Sequence, residues 1–315
     1  MRISIVGVTG LVGNKLIKLI EKRQFPITDF IPVASEDSEG RIIKLKNNEY
    51  ITTIIENIIE TDLDLIFFCS TNQVSEQWIP KILKAQPNVK IIDNSSFYRL
   101  DKDVPLVVPE INSNLITSET RLIANPNCST AQLVMVLYPL EQKYKIKRVV
   151  VSTYQSVSGS GYAGIKQMYC ERNRQEVEKP VFESQIDLNC ISFCDILDND
   201  SGYTKEELKL EKETKKIIRP EINLTATAVR VPVVCGHCET VNIEFEHDFE
   251  LEEVKGCLKQ MSGVEIKEQA YPLEVLNQSN VWVSRIRRDY SQNNSLNLWI
   301  VADNLMKGAA LNAIQ

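Results

Sequence analysis

Short apolar segments alternate with helical ones through the first half of the chain, and this alternation restricts the folds that the chain can adopt. Residues 3–6 and 63–69 form β-branched or fully apolar runs, which are typical of strands buried on both faces of a sheet. Residues 12–23 place apolar side chains at helical spacing, and residues 73–85 have a helical pattern as well. Strands that alternate with helices predict an α/β fold with a doubly wound parallel sheet.

The second half of the chain has a different pattern. A long strand is predicted at residues 147–155, followed by a polar helix at 162–178 and a charged, mostly exposed helix at 205–218. Three further segments alternate apolar and polar residues like half-buried strands of an antiparallel or mixed sheet: residues 222–232, 239–246 and 296–301. These segments predict an α+β domain.

Length and pattern together indicate two domains. A chain of 315 residues has room for two cores, since a domain has about 150 residues. The change of pattern places the boundary near residue 125, so we expect an N-terminal domain at residues 1–125 and a C-terminal domain at residues 126–302. Residues 303–315 have a helical pattern and are expected to return to the first domain.

The composition argues against several classes of protein. A net charge of −6 disfavours a nucleic-acid-binding protein, which usually carries a basic face. No apolar run reaches the roughly 18 residues that a membrane span needs, and the strand pattern starts at once, so we expect a soluble, cytoplasmic protein without a signal peptide. The eight cysteines are expected to be reduced thiols. The CGHC segment at 235–238 resembles half of a zinc site, but a second such pair is missing, so we expect no metal.

The GVTGLVG segment at residues 7–13 follows the first predicted strand and opens the first predicted helix. Glycines at such a turn let it close tightly and let backbone N–H groups approach a pyrophosphate at the positive end of the helix. We therefore predict a Rossmann-like dinucleotide-binding domain. After the second strand, residues 35–41 have the sequence SEDSEGR. Acids at this point favour the ribose 2′-hydroxyl of NAD, an arginine favours the 2′-phosphate of NADP, and an acidic surface loop fits equally well.

Cys128 is the candidate nucleophile. It lies in the segment ANPNCST, between a loop and an apolar helix, which predicts a helix N-terminus where the dipole lowers a thiol pKa from its usual ~8.5. Most of the other seven cysteines fit the role of small buried hydrophobic residues better. His237, in the segment RVPVVCGH, is a candidate proton shuttle, although a structural histidine fits the same position. A cysteine with a histidine remote in sequence is the usual arrangement for thioester chemistry.

Four charged positions suit a polar ligand. Arg99 follows a predicted parallel strand, at the edge where doubly wound sheets bind ligands. A predicted strand carries Arg230. Glu206 and Lys209 lie one helical turn apart on one face, a spacing that also fits an ordinary solvated ion pair.

Seven segments, taken in order, resemble the aspartate-β-semialdehyde dehydrogenase family over essentially the whole chain. They are GVTGLVG, DNSSFYR, NPNCST, TYQSVSG, the EELK helix, RVPVVCGH and DNLMKGAALNAIQ. The resemblance implies an N-terminal Rossmann domain joined to an α+β catalytic and dimerisation domain, and a homodimer. It implies NADP-dependent conversion between L-aspartyl-4-phosphate and L-aspartate-4-semialdehyde plus phosphate, in lysine (diaminopimelate), threonine and methionine biosynthesis.

The resemblance also implies roles for individual residues. The catalytic set comprises the nucleophile Cys128, the acid/base His237, Gln155, which orients the bound intermediate, and Asn127, which helps to hold the oxyanion. The substrate set comprises Arg230 for the α-carboxylate, Glu206 for the α-ammonium, and Arg99 with Lys209 for the phosphate. Cofactor contacts are implied for Gly7, Thr9, Gly10, Leu11, Val12, Gly13, Ser35, Ser38, Thr71, Ser158, Gly159 and Asn304.

One departure from the family concerns the choice of cofactor. Family members often have an arginine flanked by serines where this chain has Asp37, and Glu36 and Glu39 add further negative charge. These acids would repel a 2′-phosphate unless the loop turns them outward or Arg41 reaches back. We expect NADP as the cofactor with a reduced preference, and NAD as an alternative.

Other interpretations match less well. N-acetyl-γ-glutamyl-phosphate reductase and glyceraldehyde-3-phosphate dehydrogenase share the architecture and the thioester chemistry but have different nucleophile segments. A malonyl-CoA-reductase-like enzyme would be distinguished by turnover of an acyl-CoA. A regulatory homologue without activity would have lost part of the set Cys128, Gln155, Arg230 and His237, all of which are present.

Overall fold

A computed structural model describes residues 1–315 of the chain. The chain forms two compact units: an N-terminal unit of Met1–Pro126 with Ala309–Gln315, and a C-terminal unit of Asn127–Gly308. No helix combines the length and the apolar character that a membrane crossing requires.

The N-terminal unit is built on a five-stranded parallel sheet. Its strands are β1 (Arg2–Val6), β2 (Asp29–Val33), β5 (Leu65–Phe68), β6 (Lys90–Asp93) and β7 (Leu122–Ala124), and β3 (Ile42–Leu45) and β4 (Asn48–Ile51) form a separate hairpin. Its helices are α1 (Leu11–Lys22), α2 (Asn72–Ala85), α3 (Pro109–Asn112) and α8 (Leu311–Ile314). The strand order β2-β1-β5-β6-β7 reverses direction at β1. This arrangement confirms the predicted doubly wound fold.

The core of this unit explains why every residue of β5 is apolar. All of β5 is buried, because the sheet is covered on both faces. Ile66 and Phe68 pack in one cluster with Ile79 and Ile82 of α2. Burying a side chain of this size contributes about 1.5–3 kcal/mol, so β5 anchors the sheet on which the surrounding loops are held.

The final residues of the chain pack in the N-terminal unit. The predicted helix at 303–315 is divided into a π-helical segment, Met306–Ala310, and the short α8. Within the unit, Asn312 Nδ2 of α8 donates to the carbonyl oxygen of Val107 at 2.8 Å and to Asn125 Oδ1 at 2.6 Å. Both partners belong to the loops that flank β7.

The C-terminal unit is built on a six-stranded mixed sheet. Its strands are β8 (Ile146–Gln155), β9 (Asn223–Arg230), β10 (His237–Phe245), β11 (Val264–Ile266), β12 (Val281–Arg288) and β13 (Ser295–Ala302), in the order β11-β12-β13-β10-β8-β9. Its helices are α4 (Cys128–Tyr144), α5 (Gly161–Arg172), α6 (Lys205–Ile217) and α7 (Leu251–Gln260). The pairs β8–β9 and β11–β12 are parallel and the other pairs are antiparallel. The predicted mixed sheet is confirmed.

The two faces of this sheet have different surroundings. Helices α4, α6 and α7 pack on one face, where His237 and Glu239 of β10 are fully buried. Because side chains alternate along a strand, Thr240 points to the opposite face, beside its strand partners Ser152 and Trp299, and all three are half-buried. We call this second surface the open face.

Two helices differ from the sequence prediction. Helix α5 ends at Arg172 instead of continuing to residue 178, because Arg174 has a φ of 55°, which is outside the helical region. Helix α6 is not mostly exposed, since it buries the carboxylates of Glu206, Glu207 and Glu213. Buried carboxylates need partners, and those partners define the candidate site.

Candidate active site

The N-terminus of α4 presents Cys128 as the first residue of the helix. Asn127 caps this helix, because its Oδ1 accepts hydrogen bonds from the backbone N–H groups of Ser129 at 2.9 Å and Thr130 at 3.3 Å. The dipole of a helix favours negative charge at its N-terminus, so this position favours the thiolate over the thiol. The structure therefore places Cys128 at a helix N-terminus, as the sequence predicts.

Four other cysteines are buried in ways that disfavour a thiolate. Burial raises the pKa of the thiols of Cys194 and Cys235 to about 11 and of Cys238 to about 12. Burial also raises the pKa of Cys69. These thiols are protonated at neutral pH and are poor nucleophiles. None of the eight cysteines forms a disulfide, and no group of three or more His, Cys, Asp or Glu side chains could hold a metal ion.

Two carboxylates of helix α6 accept hydrogen bonds from Asn127. Asn127 Nδ2 donates to Glu206 Oε1 at 2.9 Å, and the backbone N–H of Asn127 donates to Glu213 Oε2 at 2.7 Å. Glu206 and Glu213 lie two helical turns apart on the same face of α6. The residue that precedes the nucleophile is therefore held by its backbone and by both ends of its side-chain amide.

Glu206 is the centre of a buried hydrogen-bond network. It accepts from Asn127, from Gln155 Nε2 at 3.1 Å and from Lys209 Nζ at 3.2 Å. Burial raises the pKa of Glu206, but the charge on Lys209 and the hydrogen bonds from Asn127 and Gln155 outweigh it and lower the pKa to about 2. Glu206 is thus a carboxylate at neutral pH. Lys209 also contacts Asp195, at 2.6 Å.

Arg230 and His237 come together where β9 ends and β10 begins. Arg230 is buried, and its Nη1 donates to the carbonyl oxygen of Ser156 at 2.8 Å. A Cβ atom at Gly159 would lie 2.7 Å from Arg230 Nη1 and 3.3 Å from His237 Nε2, so only glycine permits this packing. Arg230 Nε and His237 Nε2 are buried and have no hydrogen-bond partner in the protein. Arg230 Nη1 and His237 Nε2 therefore both lie beside Gly159.

His237 is held by the residue that follows β8. The backbone N–H of Ser156 donates to His237 Nδ1 at 3.0 Å, and Ser156 Oγ lies 3.0 Å from the same nitrogen. Burial, and then the charge on Arg230, lower the pKa of His237 to about 3. The imidazole is therefore neutral at neutral pH.

Two of the predicted cofactor residues lie beside this histidine. Asn304 Nδ2 donates to Ser158 Oγ at 3.0 Å, and Asn304 Oδ1 lies 3.2 Å from Ser156 Oγ. The backbone N–H of Gly236 donates to the same Oδ1 at 2.9 Å. Within the C-terminal unit, the predicted catalytic and cofactor residues are thus joined through Ser156.

The predicted dinucleotide turn lies in the N-terminal unit. Gly7 has a φ of +85°, and a Cβ there would lie 2.4 Å from the carbonyl oxygen of Cys69. A Cβ at Gly13 would lie 2.5 Å from the carbonyl oxygen of Gly7, so helix and turn pack backbone to backbone. Helix α1 follows Gly10 without a side-chain cap and without an acid in its first turn. Such an N-terminus is suited to a phosphate group.

The remaining predicted residues of the N-terminal unit lie at the carboxyl ends of the strands. Thr71 precedes α2, after β5, and Ser35 and Ser38 flank a 3₁₀ turn after β2. Arg99 is buried, and it donates to the carbonyl oxygens of Asn125 and Asn94, both at 2.8 Å. In doubly wound sheets ligands bind at this edge.

Three residues of the site escape the sequence analysis: Ser156, Glu213 and Gly308. Ser156 directly follows Gln155 in the TYQSVSG segment, so its place next to a predicted site residue could have identified it. Glu213 looks like one more surface charge on a charged helix. Gly308 lies against the nucleophile, since a Cβ there would be 2.7 Å from Cys128 Cβ and 3.0 Å from its Cα.

Comparison with known proteins identifies the family. The model described as "Semialdehyde dehydrogenase, NAD binding domain" matches residues 2–119, and the one described as "Semialdehyde dehydrogenase, dimerisation domain" matches residues 137–307. Aspartate-semialdehyde dehydrogenase of Aquifex aeolicus is 41% identical over 331 aligned positions, which cover 100% of this chain and 96% of that protein. The chain belongs to the aspartate-semialdehyde dehydrogenase family.

Further relatives agree with this assignment. Aspartate-semialdehyde dehydrogenase of Rickettsia conorii is 41% identical, over 99% of this chain and 95% of that protein. The crystal structure of aspartate semialdehyde dehydrogenase II from Vibrio cholerae, complexed with ASA, has a TM-score of 0.94 and 38% identity, and covers 100% of this chain and 96% of that chain. The protein is accordingly a semialdehyde dehydrogenase, an oxidoreductase of amino-acid biosynthesis with a nucleotide-binding domain.

The packing of Gly308 on Cys128 generates a testable prediction. In Gly308→Ala the added methyl group would clash with the Cβ and backbone atoms of Cys128. These atoms can move only if the start of α4 moves with them. We therefore expect turnover to fall by about 10²-fold. Gly256→Ala is the matched control, because a Cβ at this α7 position has no neighbour within 4 Å. The measurement is the rate of semialdehyde-dependent cofactor reduction. If the Gly308→Ala variant reacted as fast as the wild-type protein, the result would contradict a close contact between Gly308 and Cys128.

Proposed function

We propose that the protein interconverts L-aspartyl-4-phosphate and L-aspartate-4-semialdehyde plus phosphate through an acyl-thioester on Cys128. The observation that carries the proposal is the position of Cys128 at the start of α4, where Asn127 caps the helix and is itself held by Glu206. The Vibrio cholerae relative complexed with ASA supports this choice of substrate.

The reaction divides into two displacements at one carbon. The Cys128 thiolate attacks the acyl carbon, the carbonyl oxygen becomes an oxyanion, and its collapse expels phosphate and leaves the thioester. The bound nicotinamide cofactor supplies the hydride for reduction. The resulting hemithioacetal oxyanion collapses to the aldehyde and returns the thiolate. In the opposite direction the thiolate adds to the aldehyde, the hemithioacetal gives up hydride to the oxidised cofactor, and phosphate then cleaves the thioester.

Two buried charges are suited to the amino-acid end of the substrate. We assign the substrate α-carboxylate to Arg230, whose Nη1 is fixed by Ser156 and whose Nε has no partner in the protein. We assign the α-ammonium to Glu206, which stays ionised because its pKa is lowered to about 2. Each binding partner thus carries the opposite charge at neutral pH.

The other assignments rest on the resemblance together with local geometry. Gln155 orients the intermediate, and its Nε2 is already positioned by Glu206 and by Ser129 Oγ at 3.0 Å. Asn127 uses one of its two amide protons on Glu206, which leaves the second for an oxyanion. We assign the acid/base role to His237, and phosphate binding to Lys209 and Arg99.

The direct test is the initial rate of nicotinamide reduction with L-aspartate-4-semialdehyde. We expect the rate to depend on phosphate, and Cys128→Ser to lower it by about 10⁶-fold while dinucleotide binding persists. The matched control is Cys190→Ser, since Cys190 is an exposed cysteine that should not affect the rate.

Two outcomes of this assay would overturn the proposal. Turnover that survives in Cys128→Ser would exclude the thioester. Dinucleotide binding without turnover of the semialdehyde in the wild-type protein would point to another acyl substrate, such as an acyl-CoA, or to a regulatory homologue.

For the cofactor we propose NADP, with NAD as an alternative. The turn at Gly7 and Gly13 and the uncapped start of α1 fit a pyrophosphate. Glu36, Asp37 and Glu39 are all exposed, so solvent and salt screen their charges and weaken their repulsion of a 2′-phosphate. The side chain of Arg41 reaches back to the carbonyl oxygen of Asp37 at 3.5 Å, which places a positive charge beside them.

The loop after β2 makes the cofactor ratio testable. Removing the charge in Asp37→Ala takes away repulsion toward a 2′-phosphate, so we expect kcat/KM with NADP relative to NAD to rise by about 5- to 10-fold. Glu60→Ala, another exposed acid in the same unit, serves as the control and should leave the ratio unchanged. An unchanged ratio in Asp37→Ala would show that the loop acids do not select the cofactor.

We further infer that the protein is a homodimer whose interface includes the open face. The family model that matches residues 137–307 is described as a dimerisation domain. Within that range Ser152, Thr240 and Trp299 are only half-buried, although they lie on central strands. A central sheet face of this kind suits burial against a second copy.

A charge placed at the centre of the open face tests the dimer. Thr240→Arg brings a long cation between Ser152 and Trp299, and we expect it to shift the protein toward monomer in light scattering after size exclusion. Gln260→Arg at the exposed end of α7 is the control. A dimer of unchanged mass and stability in Thr240→Arg would place the interface elsewhere.

A further inference from the structure

We propose that Asp195 sets the affinity of the protein for phosphate, because its carboxylate binds Lys209 where the phosphate group would otherwise bind. Phosphate must displace this carboxylate when it enters, and the carboxylate returns to the lysine when phosphate leaves. The inference rests on the proposed function, in which Lys209 holds the phosphate. Asp195 lies outside the seven segments that resemble the family.

Lys209 forms ion pairs with two carboxylates that differ in how firmly they are held. Its Nζ lies 2.6 Å from Asp195 Oδ2 and 3.2 Å from Glu206 Oε2. Glu206 is buried and also accepts hydrogen bonds from Asn127 and Gln155. Asp195 comes from a loop and keeps 32% of its side chain exposed. Of the two carboxylates, Asp195 is therefore the one that an incoming anion can replace.

The loop of residues 191–196 is attached to the site at both ends. The backbone of Ile191 forms two hydrogen bonds with the backbone of Arg230, at 3.0 and 2.7 Å. The carbonyl oxygen of Ile196 accepts from the backbone N–H of Lys205, the first residue of α6, at 2.8 Å. The 191–196 loop therefore joins the end of β9 to the start of α6.

The side chains in the second half of this loop lie near the proposed substrate-binding residues. Cys194 is buried, and although burial raises the pKa of its thiol to about 11, the charges of Arg230 and Glu206 also affect it. The next residue, Asp195, contacts Lys209. The loop therefore borders the groups to which we assign the α-carboxylate, the α-ammonium and the phosphate of the substrate.

The two oxygens of the Asp195 carboxylate have separate functions. Oδ1 accepts a hydrogen bond from the backbone N–H of Ile196 at 2.8 Å, and Oδ2 contacts Lys209. The φ of Asp195 is 71°, in the left-handed region that Asp and Asn adopt more readily than most other residues. Asparagine can therefore keep this backbone conformation and the hydrogen bond from Ile196. The substitution Asp195→Asn removes the charge and little else.

The ion pair is weak enough for phosphate to break it. The side chains of Lys209 and Asp195 are 24% and 32% exposed, so solvent screens their attraction. A phosphate group carries up to two negative charges near neutral pH and has three acceptor oxygens, whereas the carboxylate carries one charge. Phosphate can therefore displace Asp195, but it binds less tightly than it would to a lysine without this partner.

This competition favours the release of phosphate in the reductive direction. After the Cys128 thiolate has expelled phosphate, the return of Asp195 to Lys209 opposes rebinding of the phosphate. Cleavage of the thioester by phosphate then becomes slower, and hydride transfer has more time to occur. In the oxidative direction the same competition means that a higher concentration of phosphate is needed.

The first experiment measures binding of inorganic phosphate to the full chain without substrate or cofactor, by ³¹P NMR titration. We expect Asp195→Asn to lower the Kd for phosphate by about 5- to 10-fold, because an exposed ion pair of this kind no longer has to be broken. Asp200→Asn is the matched control, since it removes the same charge from an exposed residue nearby in the sequence and should leave the Kd unchanged.

A double-mutant cycle tests whether Asp195 acts through the lysine. In a Lys209→Met background, Asp195→Asn should change the Kd for phosphate by less than about twofold, because the ion pair is already absent. An effect as large as in the wild-type background would show that Asp195 acts independently of Lys209, and this would overturn the proposal.

Steady-state kinetics distinguish competition from a structural role. With L-aspartate-4-semialdehyde, Asp195→Asn should lower the KM for phosphate by about 5- to 10-fold and leave kcat within about twofold. In the reductive direction, inhibition by added phosphate should become stronger by a similar factor. Loss of a merely structural contact would instead lower kcat or the melting temperature without tightening phosphate binding.

Three results of the phosphate titration would overturn the proposal. These are an unchanged or weaker phosphate affinity in Asp195→Asn, an equal gain in Asp200→Asn, and the absence of phosphate binding in all variants. Failure of the proposed function would appear separately, since the titration needs no turnover. In that case the semialdehyde would not react, while phosphate binding would still respond to Asp195→Asn.

Discussion

The cap that Asn127 places on α4 is the interaction on which the rest of the site depends. It satisfies two N–H groups of the helix, Ser129 and Thr130, and fixes where Cys128 stands. The capping amide is held in turn by Glu206, whose charge is kept by Lys209 and Gln155. The position of Cys128 and the charge of Glu206 therefore depend on one buried hydrogen-bond network.

Two lowered pKa values leave Glu206 charged and His237 neutral at neutral pH. Burial alone disfavours charge on both Glu206 and His237. Glu206 overcomes it because a lysine and two amides surround the carboxylate, so its pKa is lowered and the charge stays. His237 has Arg230 as its nearest strong influence, so its pKa falls as well and the ring stays neutral. At neutral pH Glu206 is thus a carboxylate, and His237 is a neutral imidazole.

Sequence patterns predicted those parts of the structure that depend on local rules. The doubly wound sheet follows from apolar strands that alternate with helices, and Cys128 follows from a loop that leads into an apolar helix. The sequence patterns gave wrong predictions where side chains are buried by contacts with residues distant in sequence. Helix α6 was expected to be mostly exposed because its charges have surface spacing, but Glu207 is paired with the backbone N–H of Ala228, and Glu213 with that of Asn127. Strand β12 was missed because arginines interrupt its alternation, and the positive φ of Arg285 and the register shift beside it are tertiary effects.

The contacts that hold Asn127 span a long stretch of chain. Glu206 lies 79 positions further along, and Glu213 lies 86. Contacts of such separation form late, because the intervening loop must close before they stabilise anything. During synthesis, Cys128 leaves the ribosome long before α6 exists to fix its cap. The hydrogen bonds that hold Asn127 can therefore form only after the chain as far as Glu213 has been made.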